Sequence, residues 1–142
     1  MKERILIMED ETAIQSVLYE LLTDAGYEVS LASDGLEGIS LFQSQSFSLI
    51  LLDIMMPEID GYEVCKQLKK NPKTKDIPII FITAKTDEDS IEKAYEVGGV
   101  DYIAKPFKAR EVLSRINTHL LLAEQKISLE HSLEENIILS EM

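Results

Sequence analysis

The sequence is poor in cysteine and in basic residues, and it contains no long apolar segment. Its one cysteine, Cys65, cannot form an internal disulfide and is most simply a packing residue of a helix. The 14 lysines and arginines stand against 26 aspartates and glutamates, and the net charge of -12 repels phosphate backbones and anionic lipid surfaces. The apolar stretch after Arg4 is too short for a signal peptide or a membrane span. These features argue against direct nucleic-acid binding and membrane association, and they predict a cytoplasmic location.

Histidine is also scarce. The two histidines, His119 and His131, lie in a polar helical tail, and neither has a second histidine or a cysteine at ligand spacing. We therefore expect both to be solvated surface residues. The chain lacks internal repeats and low-complexity segments. Its 142 residues, 45% of them hydrophobic, are typical of a single globular domain with one core.

Short apolar runs recur along the first three quarters of the chain and alternate with helical patterns. Runs of this kind, bounded by turn residues, predict strands of a parallel sheet that is covered on both faces by helices. We expect strands at residues 5–8, 28–32, 47–52, 79–82 and 102–104, each followed by a helix. The sequence therefore predicts a doubly wound α/β fold with five parallel strands and five helices.

Residues 108–142 contain neither glycine nor proline. A continuous helix over this segment would be about 50 Å long at 1.5 Å per residue, which is longer than a compact domain. The apolar positions from Leu113 to Ile127 follow the spacing of a coiled-coil seam, whereas Leu129 and Leu133 change its register. Two interpretations are open: a last helix that packs on the sheet to about Leu120 and then frays, or a helical connector or dimerisation element over residues 121–142.

Three carboxylates follow two of the apolar runs, Glu9 and Asp10 after the first and Asp53 after the third. In a doubly wound sheet the first and third strands are neighbours, so these side chains are expected to converge at the carboxyl edge of the sheet. Clustered carboxylates repel one another unless a cation joins them, and such oxygen ligands suit Mg²⁺. Alternatively, Glu9 and Asp10 stabilise the dipole of a helix capped by Thr12, and Asp53 is a turn or capping residue.

Thr83 and Lys105 end the fourth and fifth apolar runs and are expected at the same edge of the sheet. An aspartate can attack phosphorus when a metal ion and a fixed cation neutralise the oxygens of the transferred group. Lys105 suits the role of that cation, and the Thr83 hydroxyl can donate a hydrogen bond to the same oxygens. Taken singly, Thr83 is more typical of a helix cap and Lys105 of a surface charge. Their joint placement favours a phosphoryl site.

Four segments, in order and with matching spacing, resemble the receiver domain of two-component response regulators. They are Glu9-Asp10-Glu11, the stretch from Asp53 to Gly61, Thr83-Ala84-Lys85, and the stretch from Gly99 to Phe107. The resemblance covers residues 3 to 120 approximately, and it implies a receiver domain over residues 1–120 with strand order 2-1-3-4-5.

The resemblance implies a phosphorylation-dependent switch rather than an enzyme, with self-dephosphorylation as its only turnover. Asp53 would be the phospho-acceptor, and the donor would be a histidine kinase or a phosphotransfer protein. The implied Mg²⁺ ligands are Glu9, Asp10, Asp53 and the backbone carbonyl of Met55. Glu9 stands where the family commonly has aspartate, so its metal contact is either direct or through water.

The resemblance also implies how the signal leaves the site. Thr83 and Lys105 would contact the phosphoryl group, and Tyr102 would be the aromatic switch residue that turns inward when Thr83 moves. The output would pass through the fourth and fifth helices and residues 121–142. No recognition helix, cyclase motif or kinase motif follows Leu120. The signal is therefore expected to pass to a separate partner, a second subunit, or a missing downstream domain.

Two other functions share parts of this pattern. A phosphatase of the haloacid dehalogenase type needs a second aspartate two residues after the nucleophile as general acid and base, and here that residue is Met55. A flavodoxin-type carrier of FMN needs hydroxyl and glycine residues after the first strand, where the sequence has Glu9-Asp10-Glu11. Both alternatives are therefore disfavoured.

Overall fold

The computed structural model describes residues 2–141, with side-chain surroundings described for residues 2–134. Within that range, five strands alternate with five helices. The strands are β1 (Arg4–Met8), β2 (Glu28–Ala32), β3 (Leu49–Leu52), β4 (Ile79–Thr83) and β5 (Asp101–Ala104). The helices are α1 (Thr12–Asp24), α2 (Gly35–Leu41), α3 (Gly61–Lys70), α4 (Glu88–Glu96) and α5 (Ala109–Glu141). All strand pairs are parallel, and the order across the sheet is β2-β1-β3-β4-β5, which confirms the predicted fold.

The three central strands are buried because they are apolar along their length and are covered on both faces. Successive side chains of a strand point to opposite faces. On one face, Leu52 and Phe81 belong to a core cluster with side chains of α2, α3 and α4. On the other face, Leu51 and Ile82 pack with side chains of α1 and α5. Cys65 of α3 is fully buried in the first cluster, which confirms its predicted packing role.

Aspartates cap the amino ends of three helices. Asp34, Asp60 and Asp87 precede α2, α3 and α4, and each carboxylate accepts a hydrogen bond from the backbone N–H three residues further on. The predicted cap of α1 is wrong. Thr12 is the first helical residue, the cap position is Glu11, and no side chain caps this helix. The side chains before α1 are therefore not used to cap it.

The root of α5 is held to β5 by charged side chains. Asp101 accepts a hydrogen bond from Arg115 at 2.6 Å, and its other oxygen lies 3.0 Å from Nε2 of His119. Burial raises the pKa of Asp101, but these two partners outweigh it and bring the pKa below its usual value. The prediction of a solvated His119 is wrong, since its side chain is 15% exposed and packs against this carboxylate. His131 is exposed, as predicted.

The last helix continues past the sheet. Val112 and Ile116 are fully buried against the β-sheet, and Leu120 is partly buried there. Beyond Leu120 the helix has exposed apolar side chains and runs without interruption to Glu141. Its 33 residues correspond to about 50 Å. No helix among the described residues is long and apolar enough to cross a membrane.

Candidate functional site

Three carboxylates converge at the carboxyl edge of the sheet. Glu9 and Asp10 follow β1, and Asp53 follows the adjacent strand β3. One carboxylate oxygen of each residue lies within 4.8 Å of the other two. Glu9 and Asp53 are buried, whereas Asp10 is exposed. The cluster therefore forms a pocket that opens to solvent on the side of Asp10.

Lys105 inserts its ammonium group between the two buried carboxylates. Its Nζ atom lies 2.5 Å from Oε1 of Glu9 and 3.1 Å from Oδ2 of Asp53. Glu11 is more distant, with an oxygen 3.7 Å away. The backbone N–H of Lys105 donates to the carbonyl of Thr83 at 2.9 Å, which extends the pairing of β5 with β4 and brings the lysine over the site. The predicted convergence of these groups is present in the structure.

The charges of this cluster are not balanced by Lys105 alone. The pKa of Glu9 is raised to about 7, because burial and the nearby Asp53 raise it by more than the contact with Lys105 lowers it. Burial lowers the pKa of Lys105, but its two carboxylate partners outweigh this effect and bring the pKa above its ordinary value. A second cation in the pocket would favour the charged form of Glu9.

The donor set fits a hard divalent cation. Oε1 of Glu9 is buried and has no hydrogen-bond donor among the described residues, and only the ionic contact with Lys105 compensates it. Two further carboxylates, of Asp10 and Asp53, lie within reach of the same point. Mg²⁺ is usually held by a few carboxylates and keeps several waters, which the open side of this pocket allows.

Asp53 is held in a defined orientation. Its Oδ1 accepts the backbone N–H of Met55 at 3.2 Å, and its backbone N–H donates to the carbonyl of Met8 at 3.0 Å. The chain folds back at Gly61, where a Cβ atom would lie 2.2 Å from the Asp53 carbonyl oxygen. Glycine is therefore required for the approach of α3 to the end of β3. The Met55 side chain is exposed beside the pocket.

Thr83 and Tyr102, the two residues predicted to move when a phosphoryl group is bound, lie on the neighbouring strands β4 and β5. Thr83 ends β4 and is 1% exposed, and its Oγ1 accepts the backbone N–H of Lys85 at 3.0 Å. Tyr102 of β5 is partly buried and packs edge-on against Tyr95, with ring centroids 6.3 Å apart. Among the described side chains, no hydrogen bond joins Thr83 or Tyr102 to Asp53. Their roles toward a phosphoryl group therefore stay predictions.

One residue that contacts the site was not predicted from the sequence. Gln15 of α1 donates a hydrogen bond from Nε2 to the backbone carbonyl of Glu9 and another to Oγ of Ser33 at 3.2 Å. Glu11 also takes part, since its backbone N–H donates to Oε2 of Glu9 at 3.2 Å. The signal for Gln15 was weak, because a glutamine one turn into a helix is common on any exposed helix face.

Comparison with known proteins agrees with this geometry. The family model described as the response regulator receiver domain matches residues 5–117. The chain is 42% identical over 119 residues to the probable transcriptional regulator ycf27 of Porphyridium aerugineum, covering 84% of this chain and 48% of that protein. It is 44% identical over 115 residues to ycf27 of Galdieria sulphuraria, covering 81% and 44%. The chain thus spans about half the length of the curated relatives it matches.

Solved structures show the same likeness. A putative response regulator from Chloroflexus aurantiacus is 33% identical with a TM-score of 0.82, covering 85% of this chain and 99% of that one. The receiver domain of the sensor histidine kinase PA1611 from Pseudomonas aeruginosa, which has a magnesium ion in its active-site cleft, is 30% identical with a TM-score of 0.79, covering 84% and 98%. This chain belongs to the response regulator receiver domain family, the phosphorylation-dependent switches of two-component signalling.

Proposed function

We propose that Asp53 is the phospho-acceptor of this receiver and that Glu9, Asp10 and Asp53 hold Mg²⁺ together with the backbone carbonyl of Met55. The observation that carries the proposal is the meeting of three carboxylates and Lys105 at one point of the sheet edge. The phosphoryl donor is a histidine kinase or a phosphotransfer protein. When bound, Mg²⁺ supplies positive charge to the oxygens of the transferred group.

The reaction is a single displacement at phosphorus. A carboxylate oxygen of Asp53 forms a new P–O bond while the P–N bond of the donor phosphohistidine breaks, and the imidazole leaves with the electron pair and takes up a proton. Lys105 neutralises charge on the acyl phosphate, and the N–H of Met55 keeps the carboxylate in place. Asp53 is only 3% exposed, so the donor must approach from the open side near Asp10.

The phosphoryl group acts by bonding better in one conformation than in another. Thr83 ends β4 and Lys105 follows β5, so the hydroxyl of the first and the ammonium of the second are donors available to this group. When Thr83 turns toward the phosphoryl oxygens, it releases the N–H of Lys85 and the space beside β4. Tyr102 then turns inward and leaves its contact with Tyr95. The switch reaches the surface of α4, β5 and α5 in this way.

The output passes through α5 and residues 121–142 to a partner, a second subunit or a following domain. The buried positions of α5 end near Ile116, whereas Leu121 and Leu122 are half exposed. This change supports a division into a receiver domain over residues 1–120 and a helical extension over residues 121–142. Two curated relatives are described as probable transcriptional regulators, so a separate output element fits the family.

The proposed acceptor is tested by intact-mass analysis after incubation with a small acyl phosphate. The parent is expected to gain the mass of one phosphoryl group only when Mg²⁺ is present, and Asp53→Ala is expected to gain none. Asp24→Ala, which removes an exposed carboxylate at the end of α1, is the matched control and should behave as the parent. Phosphorylation of Asp53→Ala at the rate of the parent would refute the assignment.

Incubation with small phosphoesters in place of the acyl phosphate tests the phosphatase alternative. A switch releases at most the phosphate that it has accepted, whereas a phosphatase releases phosphate repeatedly from small phosphoesters. Met55 stands where the phosphatase needs a proton-transferring aspartate, so we expect no repeated release. Continued release of phosphate in large excess over the protein would favour the phosphatase instead.

A further inference from the structure

A side-chain amide from α1 holds the peptide group that joins two of the clustered acidic residues. Nε2 of Gln15 donates to the backbone carbonyl oxygen of Glu9. That carbonyl and the N–H of Asp10 belong to one rigid planar unit. Fixing its oxygen therefore restricts the direction in which the Cα atoms of both Glu9 and Asp10 carry their carboxylates.

Glu9 is held on both sides of its Cα atom. Its N–H donates to the carbonyl of Ala32 at 3.0 Å, as a last rung of the pairing with β2. Its own carbonyl lies beyond the end of β1, and Gln15 provides the donor there. Without that donor, water would bond this carbonyl in place of a positioned side chain, and the peptide after Glu9 would be less restricted at the point where the strand ladder stops.

Gln15 is itself fixed by the loop after β2. The same Nε2 atom lies 3.2 Å from Oγ of Ser33, and the backbone N–H of Ser33 donates to Oε2 of Glu37 at 3.1 Å. Glu37 in turn donates its backbone N–H to the capping Asp34 at 2.8 Å. The amide is therefore part of a connected set of hydrogen bonds rather than a free surface group.

We propose that Gln15 is a positioning residue of the Mg²⁺ site. Its amide sets the peptide between Glu9 and Asp10 so that both carboxylates point into the pocket, and it does so without touching the metal. The inference rests on the proposed function, in which these carboxylates hold Mg²⁺. Outer partners that orient metal ligands commonly change metal affinity by about 10-fold to 100-fold.

The same contact has little weight in the stability of the fold. Gln15 is only partly buried, so water can replace its amide at the Glu9 carbonyl. A variant without the amide is thus expected to keep the metal-free melting midpoint while it loses affinity for Mg²⁺. A purely structural glutamine would give the opposite pattern.

Calorimetric titration of the full chain with Mg²⁺ and no phosphoryl donor is the test. Gln15→Met keeps a side chain of similar length and good helix propensity but has no donor, and we expect it to weaken Mg²⁺ binding about tenfold. The matched control is Gln45→Met. Gln45 lies in the loop between α2 and β3 and is also partly buried, and its amide oxygen accepts from Ser30 of the edge strand β2 at 2.9 Å. The control should stay within about twofold of the parent.

Two further variants and a measurement at saturating Mg²⁺ show whether Gln15 orients the metal ligands or only supports the fold. Ser33→Ala removes the other partner of Gln15 but keeps the bond to Glu9, and it should weaken Mg²⁺ binding by less than Gln15→Met does. Gln15→Ala provides a second variant without the amide, in case the methionine packs differently. At saturating Mg²⁺ both Gln15 variants should recover the phosphorylation rate of the parent, since only the metal affinity is changed.

Unchanged Mg²⁺ affinity in both Gln15 variants would overturn the inference, as would an equal loss in Gln45→Met. A parent that binds Mg²⁺ but is not phosphorylated on Asp53 would overturn the proposed function and leave the role of Gln15 standing. A parent that binds no Mg²⁺ would overturn the metal site and the role of Gln15 together.

Discussion

Asp10 and Glu9 are adjacent in sequence, but their environments differ. Glu9 is fully buried beside Lys105, whereas Asp10 is exposed at the mouth of the pocket. Burial makes the charged form of Glu9 costly, and its raised pKa of about 7 reflects that cost. Asp10 lies open to solvent, so a cation can reach its carboxylate directly. The two residues therefore contribute differently to the site.

Asp10→Ala is expected to abolish Mg²⁺ binding and to leave the metal-free protein as stable as the parent or more stable. The substitution removes one ligand and also one like charge from a crowded cluster. Thermal melts with and without Mg²⁺ provide the measurement, because a bound metal raises the melting midpoint. Glu20→Ala, at an exposed position of α1, is the control. If Asp10→Ala keeps the full metal-induced shift, Asp10 is not a necessary ligand.

Some residues of the site were predictable because strand ends are visible in sequence. Asp53 and Lys105 directly follow apolar runs, and parallel strands bring such positions to one edge. Gln15 and His119 were not predictable in the same way. Both lie on helices, and their partners, the Glu9 carbonyl and the Asp101 carboxylate, are set by how each helix crosses the sheet.

Loops at the two ends of the sheet use glycine for different reasons. Gly61 begins α3, and a Cβ atom there would lie 2.2 Å from the carbonyl oxygen of Asp53. Gly26 follows α1 with a φ of +99°, and a Cβ atom there would meet nothing within 4 Å. The first glycine is needed for space and the second for backbone conformation.

Gly61→Ala is expected to lower the free energy of unfolding by about 1–3 kcal/mol and to slow phosphorylation about tenfold, because the added methyl group displaces Asp53. Gly26→Ala should cost a similar amount of stability, about 1–2 kcal/mol, from backbone strain. It should leave the phosphorylation rate unchanged, since it is remote from the pocket. Urea denaturation and intact-mass kinetics measure the two effects. A Gly61→Ala protein with the parent rate would contradict the proposed contact.

The contact between β5 and α5 makes the free energy of unfolding depend on pH, and the sign of this dependence is defined. Asp101 has a pKa below its usual value because, against the effect of burial, it is bonded to His119 and Arg115. A carboxyl group with a lowered pKa stabilises the fold above its unfolded pKa of about 3.9 and loses that contribution as the pH falls through the folded value. The contribution is therefore present at neutral pH and disappears in acid.

Asp101→Asn is expected to lower the free energy of unfolding at pH 7 by about 1–2 kcal/mol, a modest value because Arg115 is 40% exposed. The difference between parent and variant should shrink when the pH falls below about 4, where the carboxyl group of the parent becomes protonated. Denaturant unfolding at both pH values measures it, and Asp24→Asn is the control. A difference that is unchanged in acid would show that charge is not the cause.

The start of a helix is visible in the sequence where an Asp-Gly pair marks a turn, and element boundaries are less clear elsewhere. Asp60-Gly61 and Asp34-Gly35 are turn signals, and helices begin at the glycines. The third strand was expected from residue 47 and starts at Leu49, because Phe47 is buried as a loop residue packed against Phe42. An apolar residue next to a strand can enter the core without extending the ladder, and local sequence cannot separate these cases.

Local sequence patterns do not determine which elements are neighbours in the folded molecule. Apolar runs predicted five strands, but the order 2-1-3-4-5 came from the resemblance to a family, and the structure confirms it. The apolar pattern of residues 108–142 also did not determine where α5 ends. The helix packs on the sheet through Ile116 and continues to Glu141. Whether the extension is a connector or a dimerisation element stays a prediction.

The extension of α5 exposes leucines on one side of the helix. Leu122, Leu129 and Leu133 are each more than half exposed, and their spacing of seven and four residues places them on one side of the helix. The positions of α5 that pack on the sheet lie on a different side. Most helix stability in proteins comes from packing of an apolar face, so a partner or a second copy that covers these leucines would stabilise the extension.

Beryllofluoride, which mimics the phosphoryl group, is expected to change amide hydrogen exchange in residues 87–120 and, if the extension pairs with a second copy, to double the mass measured by light scattering. The expected cause is the differential bonding of Thr83 and Lys105, which feed directly into α4, β5 and α5. Leu129→Ser should reduce the mass increase, whereas Leu36→Ser, at a leucine of α2 that is also more than half exposed, should not. An unchanged mass would exclude the dimer. Unchanged protection of residues 87–120 would exclude the switch through α4, β5 and α5, because the phosphoryl group would then have no route through these elements to the extension.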